Sequence, residues 1–356
     1  MMKRNSKTVN RRLVLLVFQF ITIQLFAATA AYDLVVVDAD TLTPVKGVNV
    51  VGWFSNSNGW KAWTESAPEY EDKKTTDENG RCHLAGETNN GRTGVNIHKP
   101  PRGYYPNSFC VRHQFTQEPV LPLMHWRPTN LVITAALYKI ERPVPLFVRR
   151  TLLGNGQPIS ARVKGPFSYD LLKAAWLPPI GDGEHADIVF ETMPREVFGD
   201  AEVPGRPQFR GKAYKERVVA KFPGIDNGIV EVKPNPNATL MIRNAPESGY
   251  GTSCELWHSV DGCYQHHEST DKNRHFCFRI RTRRNEKGEI VESYYGKIYG
   301  DIGPVSDKKN LYGVTFLYYL NPTPNDRNLE WDRKTNLCDK PGNLETSINH
   351  ACMLLP

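Results

Sequence analysis

Short segments in which hydrophobic and polar residues alternate, separated by turn residues, recur along most of this chain. This pattern is typical of half-buried β-strands joined by turns. A single short helix is predicted at 169–176 (YDLLKAAW), where Leu172, Ala175 and Trp176 share a face. The remaining pattern predicts strands at 34–37, 44–50, 81–84, 131–137, 146–152, 158–163, 186–192, 217–222, 228–232, 239–243, 276–283, 290–299 and 314–320. We therefore expect an all-β protein built from two β-sandwich-type domains.

One longer apolar run, at 13–26, follows a basic head and precedes small residues that include Ala28-Thr29-Ala30. This order is typical of a cleaved secretory signal peptide. The run has 14 residues, whereas a bilayer span needs about 20. We predict a signal peptide over 1–30 and a secreted or periplasmic protein with no membrane span after cleavage; the alternative is an uncleaved amphipathic anchor.

The mature chain divides at a proline-rich linker. Pro143 and Pro145 mark it, which predicts a first domain over 31–142 and a second over 143–356.

Cleavage also removes most of the excess positive charge. The head contributes five basic and no acidic residues, so the formal net charge falls from +7 to +2. The remaining basic group is Arg279, Arg281, Arg283 and Arg284. Alternation on a strand predicts that the first three share one solvated face. We therefore expect no nucleic-acid partner.

Two motifs in the first domain carry a family resemblance. The spacing D-x-x-T-x-x-P-V-x-G-V-x-V is followed by T-T-D-x-N-G-R. Together they resemble the carboxypeptidase-regulatory-like domain over about residues 32–141, with a departure in the insert 53–74. The resemblance implies a transthyretin-like sandwich in which these residues build turns and strands and none is catalytic. The motif residues are Asp38, Thr41, Pro44, Val45, Gly47, Val48, Val50, Thr76, Asp77, Gly80 and Arg81.

The second domain contains two distinctive segments, 169–191 and 318–332. They resemble uncharacterised secreted bacterial proteins, a resemblance that implies no known activity. In the loop of the second segment, Asp326 and Arg327 either lock a rigid structural loop or belong to a binding loop.

Aromatic residues in the first domain are the other binding candidates: Trp53, Trp60, Trp63 and Tyr70. Aromatics in a polar loop bind sugar rings or a protein partner. The alternative is that they cover one open end of the sandwich. The predicted partner is therefore a glycan or an envelope protein.

Cysteine and histidine residues cluster in the second domain, at Cys254, His258, Cys263, His266, His267, His275 and Cys277. Their spacing matches no common zinc signature. An oxidising compartment favours disulfides, which predicts a pair among Cys254, Cys263 and Cys277 and another between Cys338 and Cys352. A metal site is the alternative. The seven cysteines are an odd number, so at least one thiol is free or pairs between chains.

These features favour a non-catalytic binding or structural protein of the cell envelope. No P-loop, dinucleotide fingerprint or G-x-S-x-G motif is present, and no cofactor is implied. The alternative is a secreted hydrolase with a carboxylate-based site in the second domain. Its candidate carboxylates are Asp182, Glu184, Asp187, Asp301, Asp326, Glu330 and Asp332.

Overall fold

The computed structural model describes residues 28–55, 69–105, 107–120, 123–151, 166–233, 241–269, 274–306 and 311–338. All 22 regular elements in these ranges are β-strands, so the predicted all-β class is confirmed. Among the described residues there is no helix with the length and hydropathy required to cross a membrane. The chain forms two compact units: residues 1–102 with 106–136, and residues 103–105 with 137–356.

The part of the first unit that the structure describes has nine strands in three sheets. The strands are β1 (Ala28–Asp38), β2 (Asn49–Ser55), β3 (Glu69–Thr75), β4 (Arg81–Thr88), β5 (Arg92–Lys99), β6 (Asn107–Gln114), β7 (Thr116–Val120), β8 (Leu123–Arg127) and β9 (Val132–Leu137). Their order is β4-β1-β9 in one sheet, β3-β2-β5-β6 in a second, and β7-β8 in a separate pair.

The first two sheets of this unit pack face to face. Tyr32 of β1 is buried, and its hydroxyl donates to the carbonyl of Gly94 in β5 at 3.1 Å. A Cβ on Gly52 of β2 would lie 3.1 Å from that hydroxyl, so this position leaves little room for a side chain. The alternating burial of β1 and β2 therefore builds one core between the two sheets.

The residues of the two sequence motifs build turns and strand contacts in this unit. The buried Asp38 carboxylate accepts from the N–H of Asp40 and Thr41. Gly80 has φ +68°, and a Cβ there would lie 2.4 Å from the carbonyl oxygen of Val36. A side chain at this position would therefore be strained in backbone and in space. The predicted second strand begins later than expected, at Asn49, after an isolated bridge between Val37 and Pro44.

Thirteen strands lie in the described residues of the second unit. They are β10 (Val144–Thr151), β11 (Phe167–Asp170), β12 (Ala175–Trp176), β13 (Ile188–Thr192), β14 (Glu196–Val203), β15 (Arg206–Lys221), β16 (Gly228–Val232), β17 (Ser253–Val260), β18 (His266–Glu268), β19 (His275–Arg284), β20 (Ile290–Ser306), β21 (Leu311–Asn321) and β22 (Trp331–Asn336). One sheet has the order β16-β19-β20-β21-β10-β22. The other has the order β12-β11-β13-β15-β17-β18, with β14 paired to β15.

The six-stranded sheet is buried on both faces. Phe278 and Tyr318 lie on the face that packs against the seven-stranded sheet, in the main core. Cys277 and Tyr319 lie on the opposite face, in a second core with Ile242, Leu329 and Trp331. The apolar segment 314–320 is continuous because both of its faces are covered.

The predicted helix at 169–176 is wrong. The structure has β11 up to Asp170, a turn, and then β12, with Ala174 in the left-handed region at φ +53°. The Asp170 carboxylate accepts from the N–H groups of Leu172 and Lys173 at 3.1 and 2.9 Å. This local capping satisfies the backbone in a turn, and so competes with a helix.

The predicted arginine face is also wrong. Residue Arg281 has φ +52°, and the β19–β20 register shifts between Ile280 and Arg283. A bulge of this kind redirects side chains. Arg279 donates to the carbonyl of Asp226, whereas Arg281 binds Asp170 at the end of β11 and Asp187 immediately before β13.

Candidate functional site

The loop between β21 and β22, residues 322–330, contains the predicted Asp326 and Arg327. Its path depends on Asn325, which has φ +61°. The Asn325 N–H donates to the Ser293 carbonyl, and its side-chain amide donates to the Val291 carbonyl, both at 2.8 Å. The loop is therefore attached to β20 through backbone groups.

Asp326 and Arg327 each bind a different neighbour. Asp326 accepts from the Asn328 N–H at 3.0 Å and pairs with the Arg142 guanidinium at 3.1 Å. Arg327 donates to the Ala245 carbonyl at 3.1 Å and pairs with Glu247 at 2.8 Å. These contacts are those of a rigid structural loop, and a binding role for the two residues stays a prediction.

Glu330, at the end of this loop, is 1% exposed. One carboxylate oxygen accepts from the Tyr105 hydroxyl and the Glu141 N–H, both at 2.8 Å. The other accepts from the Arg142 N–H at 2.7 Å. Burial and the hydrogen bond to Glu330 raise the pKa of Tyr105 above its usual range. This carboxylate thus joins three segments of the second unit.

Lys297 of β20 lies in the second core and has no exposed surface. Its ammonium donates to the carbonyls of Ile242 and Leu329 at 3.1 and 2.5 Å. It also lies 5.0 Å from the ring centroids of Tyr299 and Tyr319, a distance suited to a cation–π interaction. Burial lowers the pKa of Lys297 to about 7. We refer to Lys297, Glu330 and their hydrogen-bond partners as the loop cluster.

A second buried group of charges connects the two sheets of this unit. The Arg281 guanidinium donates to Asp187 at 2.8 and 2.9 Å and to Asp170 at 2.7 Å. Both carboxylates are almost completely buried. We refer to Asp170, Asp187 and Arg281 as the sheet-bridging cluster. Asp187 was a sequence candidate, but Asp170 and Arg281 were missed in this role because only the bulge in β19 brings the arginine to them.

The two carboxylates of this cluster have different surroundings. Burial by itself would raise the pKa of Asp170, but backbone N–H donors from Lys173, His185 and Glu184 hold it below its usual value. Burial raises the pKa of Asp187, against the opposing effect of Arg281. All four carboxylate oxygens accept hydrogen bonds. The cluster is thus satisfied internally.

The side chains of three other hydrolase candidates do not belong to these clusters, although the Glu184 N–H donates to Asp170. Glu184 pairs with Lys173 on the surface. Asp301 pairs with Arg274 at 3.4 Å. Asp332 accepts from the N–H groups of Lys334 and Thr335, each at 2.8 Å. These three contacts are local, and they do not join the candidates to one another. Asp182 is exposed.

The predicted cysteine–histidine cluster is dispersed. Cys254 and His258 lie on β17 in the seven-stranded sheet, whereas His275 and Cys277 lie on β19 in the six-stranded sheet. Cys263 is in an exposed turn. His266 and His267 follow on β18, and His267 pairs with Asp261 at 2.9 Å. Over the described ranges no three His, Cys, Asp or Glu side chains are grouped as metal ligands would be.

The expected disulfide among Cys254, Cys263 and Cys277 is wrong, because all three are free thiols, as is Cys82. The physical reason is that Cys254 and Cys277 face different cores. Cys254 packs against the main core, whereas Cys277 belongs to the core on the other face of the six-stranded sheet. Burial raises the pKa of each of these two thiols to about 12. Cys352 lies outside the described residues, so its pairing with Cys338 stays a prediction.

The structure describes two of the four aromatic candidates, Trp53 and Tyr70. Trp53 lies opposite Gly94, where a Cβ would be 2.5 Å from the indole ring. Tyr70 is exposed, and its ring meets that of Phe54 edge-on with the centroids 6.3 Å apart. Trp60 and Trp63 lie outside the described residues. The Trp53 indole occupies the space that Gly94 leaves, and Trp53 is half-buried. Tyr70 is therefore the more accessible of the two described candidates.

Comparisons with known proteins give limited likenesses. No family model matches the chain, and a search of curated proteins found no match. The carboxypeptidase-regulatory-like resemblance therefore stays a prediction.

Among solved structures, three pilin subunits are similar in part. The minor pilin GBS52 of Streptococcus agalactiae is 20% identical over 34% of this chain and 49% of its own, with a TM-score of 0.23. The chain thus spans about half the length of that protein. The major pilin BcpA of Bacillus cereus is 9% identical over 83% and 96%, with a TM-score of 0.23. The major pilin SpaD of Corynebacterium diphtheriae is 10% identical over 86% and 84%, with a TM-score of 0.25. At these TM-scores the likenesses identify no family for this chain.

Proposed function

We propose that this protein is a secreted, non-catalytic structural or binding protein of the cell envelope. The observation that carries this proposal is how its buried carboxylates are used. The oxygens of Asp170, Asp187 and Glu330 accept hydrogen bonds from backbone N–H groups, from Tyr105 and from Arg281. A general acid or base needs a proton-transfer partner in the substrate, and here these positions are occupied by the protein itself.

The proposed export rests on the N-terminal pattern, and it has a structural consequence. Cleavage after Ala30 removes three of the eight register pairs between β1 and β4, those of Ala28, Thr29 and Ala30. The pairs from Ala31 to Val35 remain, and they include the buried Tyr32 and Leu34. N-terminal sequencing of the protein recovered from the extracytoplasmic fraction tests this. A mature chain starting at Ala31 supports it, and an intact N-terminus contradicts it.

The proposed binding partner is a glycan or an envelope protein, recognised through exposed aromatic surface. Tyr70 is 48% exposed on β3, and an exposed aromatic ring can stack on a sugar. We expect Tyr70→Ala to weaken retention of the mature protein on purified envelope material without changing its melting temperature. Val132→Ala is a matched control, because Val132 is 52% exposed in the same unit.

The hydrolase alternative is tested with the same preparation. Incubation of the mature protein with the envelope glycan and peptide fractions should release no new reducing ends or amines. Release that disappears in Asp187→Asn, with the fold preserved, would contradict the proposal. Equal binding of wild type and Tyr70→Ala would contradict only the proposal that the exposed aromatic surface recognises the partner.

A further inference from the structure

A two-stranded ribbon projects from the seven-stranded sheet. Strand β14 pairs with residues 206–215 of β15, whereas β17 pairs only with residues 214–221 of β15. Tyr214 and Lys215 pair with both neighbours, so β14 and β17 lie on opposite edges of β15. In the described part of the chain, residues 206–213 are therefore paired on one edge only.

The outer edge of β14 is also open in the described residues, except that the Glu202 N–H donates to the Gly262 carbonyl at 3.0 Å. Edge strands with open backbone groups associate with other strands unless charge, proline or a covering segment prevents it. The ribbon thus presents two strand edges for pairing, one from β14 and one from residues 208–213 of β15, which follow Pro207, a residue without an N–H to donate.

Exposed apolar side chains accompany the β14 edge. Val197 is 56% exposed and Phe198 is 66% exposed. The register shifts between Val197 and Gly199, so Phe198 is the extra residue of a bulge. A bulge redirects a side chain, and here it leaves an aromatic ring in solvent. Burial of such a ring would stabilise an interface.

The charges of the two strands are segregated. Strand β14 carries Glu196, Asp200 and Glu202 and no basic residue, whereas residues 206–215 carry Arg206, Arg210, Lys212 and Lys215 and no acidic residue. Within the ribbon, Asp200 lies opposite Lys212 and Glu202 opposite Arg210. Two copies that met through their β14 edges would place acidic columns side by side, which is unfavourable. The acidic β14 edge of one copy instead complements the basic β15 edge of another.

We propose that this ribbon is a self-association surface, in which the β14 edge of one copy pairs with the free β15 edge of a second copy. Such a contact joins different surfaces of the two copies, so it leaves one edge of each copy open for further addition. The inference rests on the proposed structural role. The two fail separately, because a monomeric protein would overturn the ribbon proposal without affecting the envelope-binding test.

The first experiment is sedimentation velocity of the mature protein over a concentration series. We expect reversible association that Phe198→Lys weakens by about tenfold or more. The matched control is Ile225→Lys, which changes an even more exposed apolar residue, 78% exposed, outside the ribbon. A wild type that is monomeric throughout, or equal effects of the two variants, would overturn the proposal.

The second experiment exchanges the charges of the two strands with Asp200→Lys, Glu202→Arg, Arg210→Glu and Lys212→Asp in one chain. The cross-strand pairs keep opposite signs, so the ribbon should fold. The exchanged protein should associate with itself but not with wild type, as measured by two-colour fluorescence cross-correlation. Co-association stronger than self-association would indicate β14–β14 pairing and would overturn the proposed geometry.

Discussion

The second unit contains two buried polar clusters that satisfy charge in different ways. In the sheet-bridging cluster, Arg281 is paired with two carboxylates. In the loop cluster, Lys297 donates to neutral backbone carbonyls and lies against two tyrosine rings, while Glu330 accepts from backbone N–H groups. When a buried charge is paired with opposite charges, removing one partner leaves the others uncompensated and lowers the free energy of unfolding. When a buried charge interacts with backbone dipoles, burial changes its pKa. The comparison predicts different responses to mutation and to pH.

The largest expected effect comes from removing the central cation of the sheet-bridging cluster. Arg281→Met leaves Asp170 and Asp187 buried without a counter-charge, which costs about 3–5 kcal/mol of unfolding free energy. Urea denaturation measures it. Arg283→Met is the control, because Arg283 is exposed and pairs with Glu292 on the surface, where such pairs contribute about 0–1 kcal/mol. Similar losses in both variants would mean that the buried ion pairs contribute no more to the free energy of unfolding than the exposed pair.

Glu330→Gln tests the loop cluster with a smaller expected loss, about 2 kcal/mol. The amide keeps one acceptor oxygen but directs an NH₂ group toward an N–H donor that Glu330 now accepts, such as that of Arg142. Thermal and urea unfolding of the variant measure this. Glu247→Gln serves as the comparison, since Glu247 is exposed and pairs with Arg327. An unchanged midpoint in Glu330→Gln would show that this carboxylate does not stabilise the loop.

Lys297 should make stability depend on pH in the alkaline range. Its pKa is about 7 in the folded protein and 10.5 as the unperturbed value. Between these values the unfolded chain binds more protons, so stability rises with pH, and below about pH 7 the full cost of burying the charge is present. The expected gain between pH 7 and 9 is about 2 kcal/mol, which is less than two full steps of about 1.4 kcal/mol because Lys297 is already half deprotonated at pH 7.

The readout is the difference between wild type and Lys297→Met in the free energy of unfolding at these two pH values. Other titrating groups contribute to both proteins and cancel in the difference. We expect the alkaline gain in wild type and its loss in the variant. Parallel curves would contradict the lowered pKa.

The smallest effect is expected at the outer part of the loop. Asp326→Asn weakens the ion pair with Arg142, whose side chain is 70% exposed, and should cost about 0.5 kcal/mol. Added salt should reduce this difference, because exposed pairs are screened. A loss of unfolding free energy as large as that of Glu330→Gln would show that Asp326 also determines the conformation of the loop.

The sequence predicted strands well where burial on one or both faces imposed a clear pattern. The prediction for 228–232 coincides with β16, and those for 131–137 and 314–320 lie close to β9 and β21. It failed at 169–176, because hydrophobic periodicity does not report the capping of a turn by Asp170. It failed for the arginine face, because a bulge changes the side on which later residues lie.

The candidate site was predicted only in part. Asp326, Glu330 and Asp187 were candidates, but sequence distance concealed that Glu330 meets Tyr105 and that Asp187 meets Asp170 and Arg281. For Cys254 and Cys277 the error was the reverse. The two cysteines are close in sequence, and yet they belong to different sheets and pack in different cores.

By itself, the sequence determined the all-β class, about half of the strand positions and the turns built by Asp38 and Gly80, because alternation and turn chemistry are local properties. Only the tertiary structure decided which charges are buried together. The reason is that Arg281 and Lys297 acquire their partners from strands and loops distant in the chain, and the free energy of a buried charge depends on those partners rather than on its neighbours in sequence.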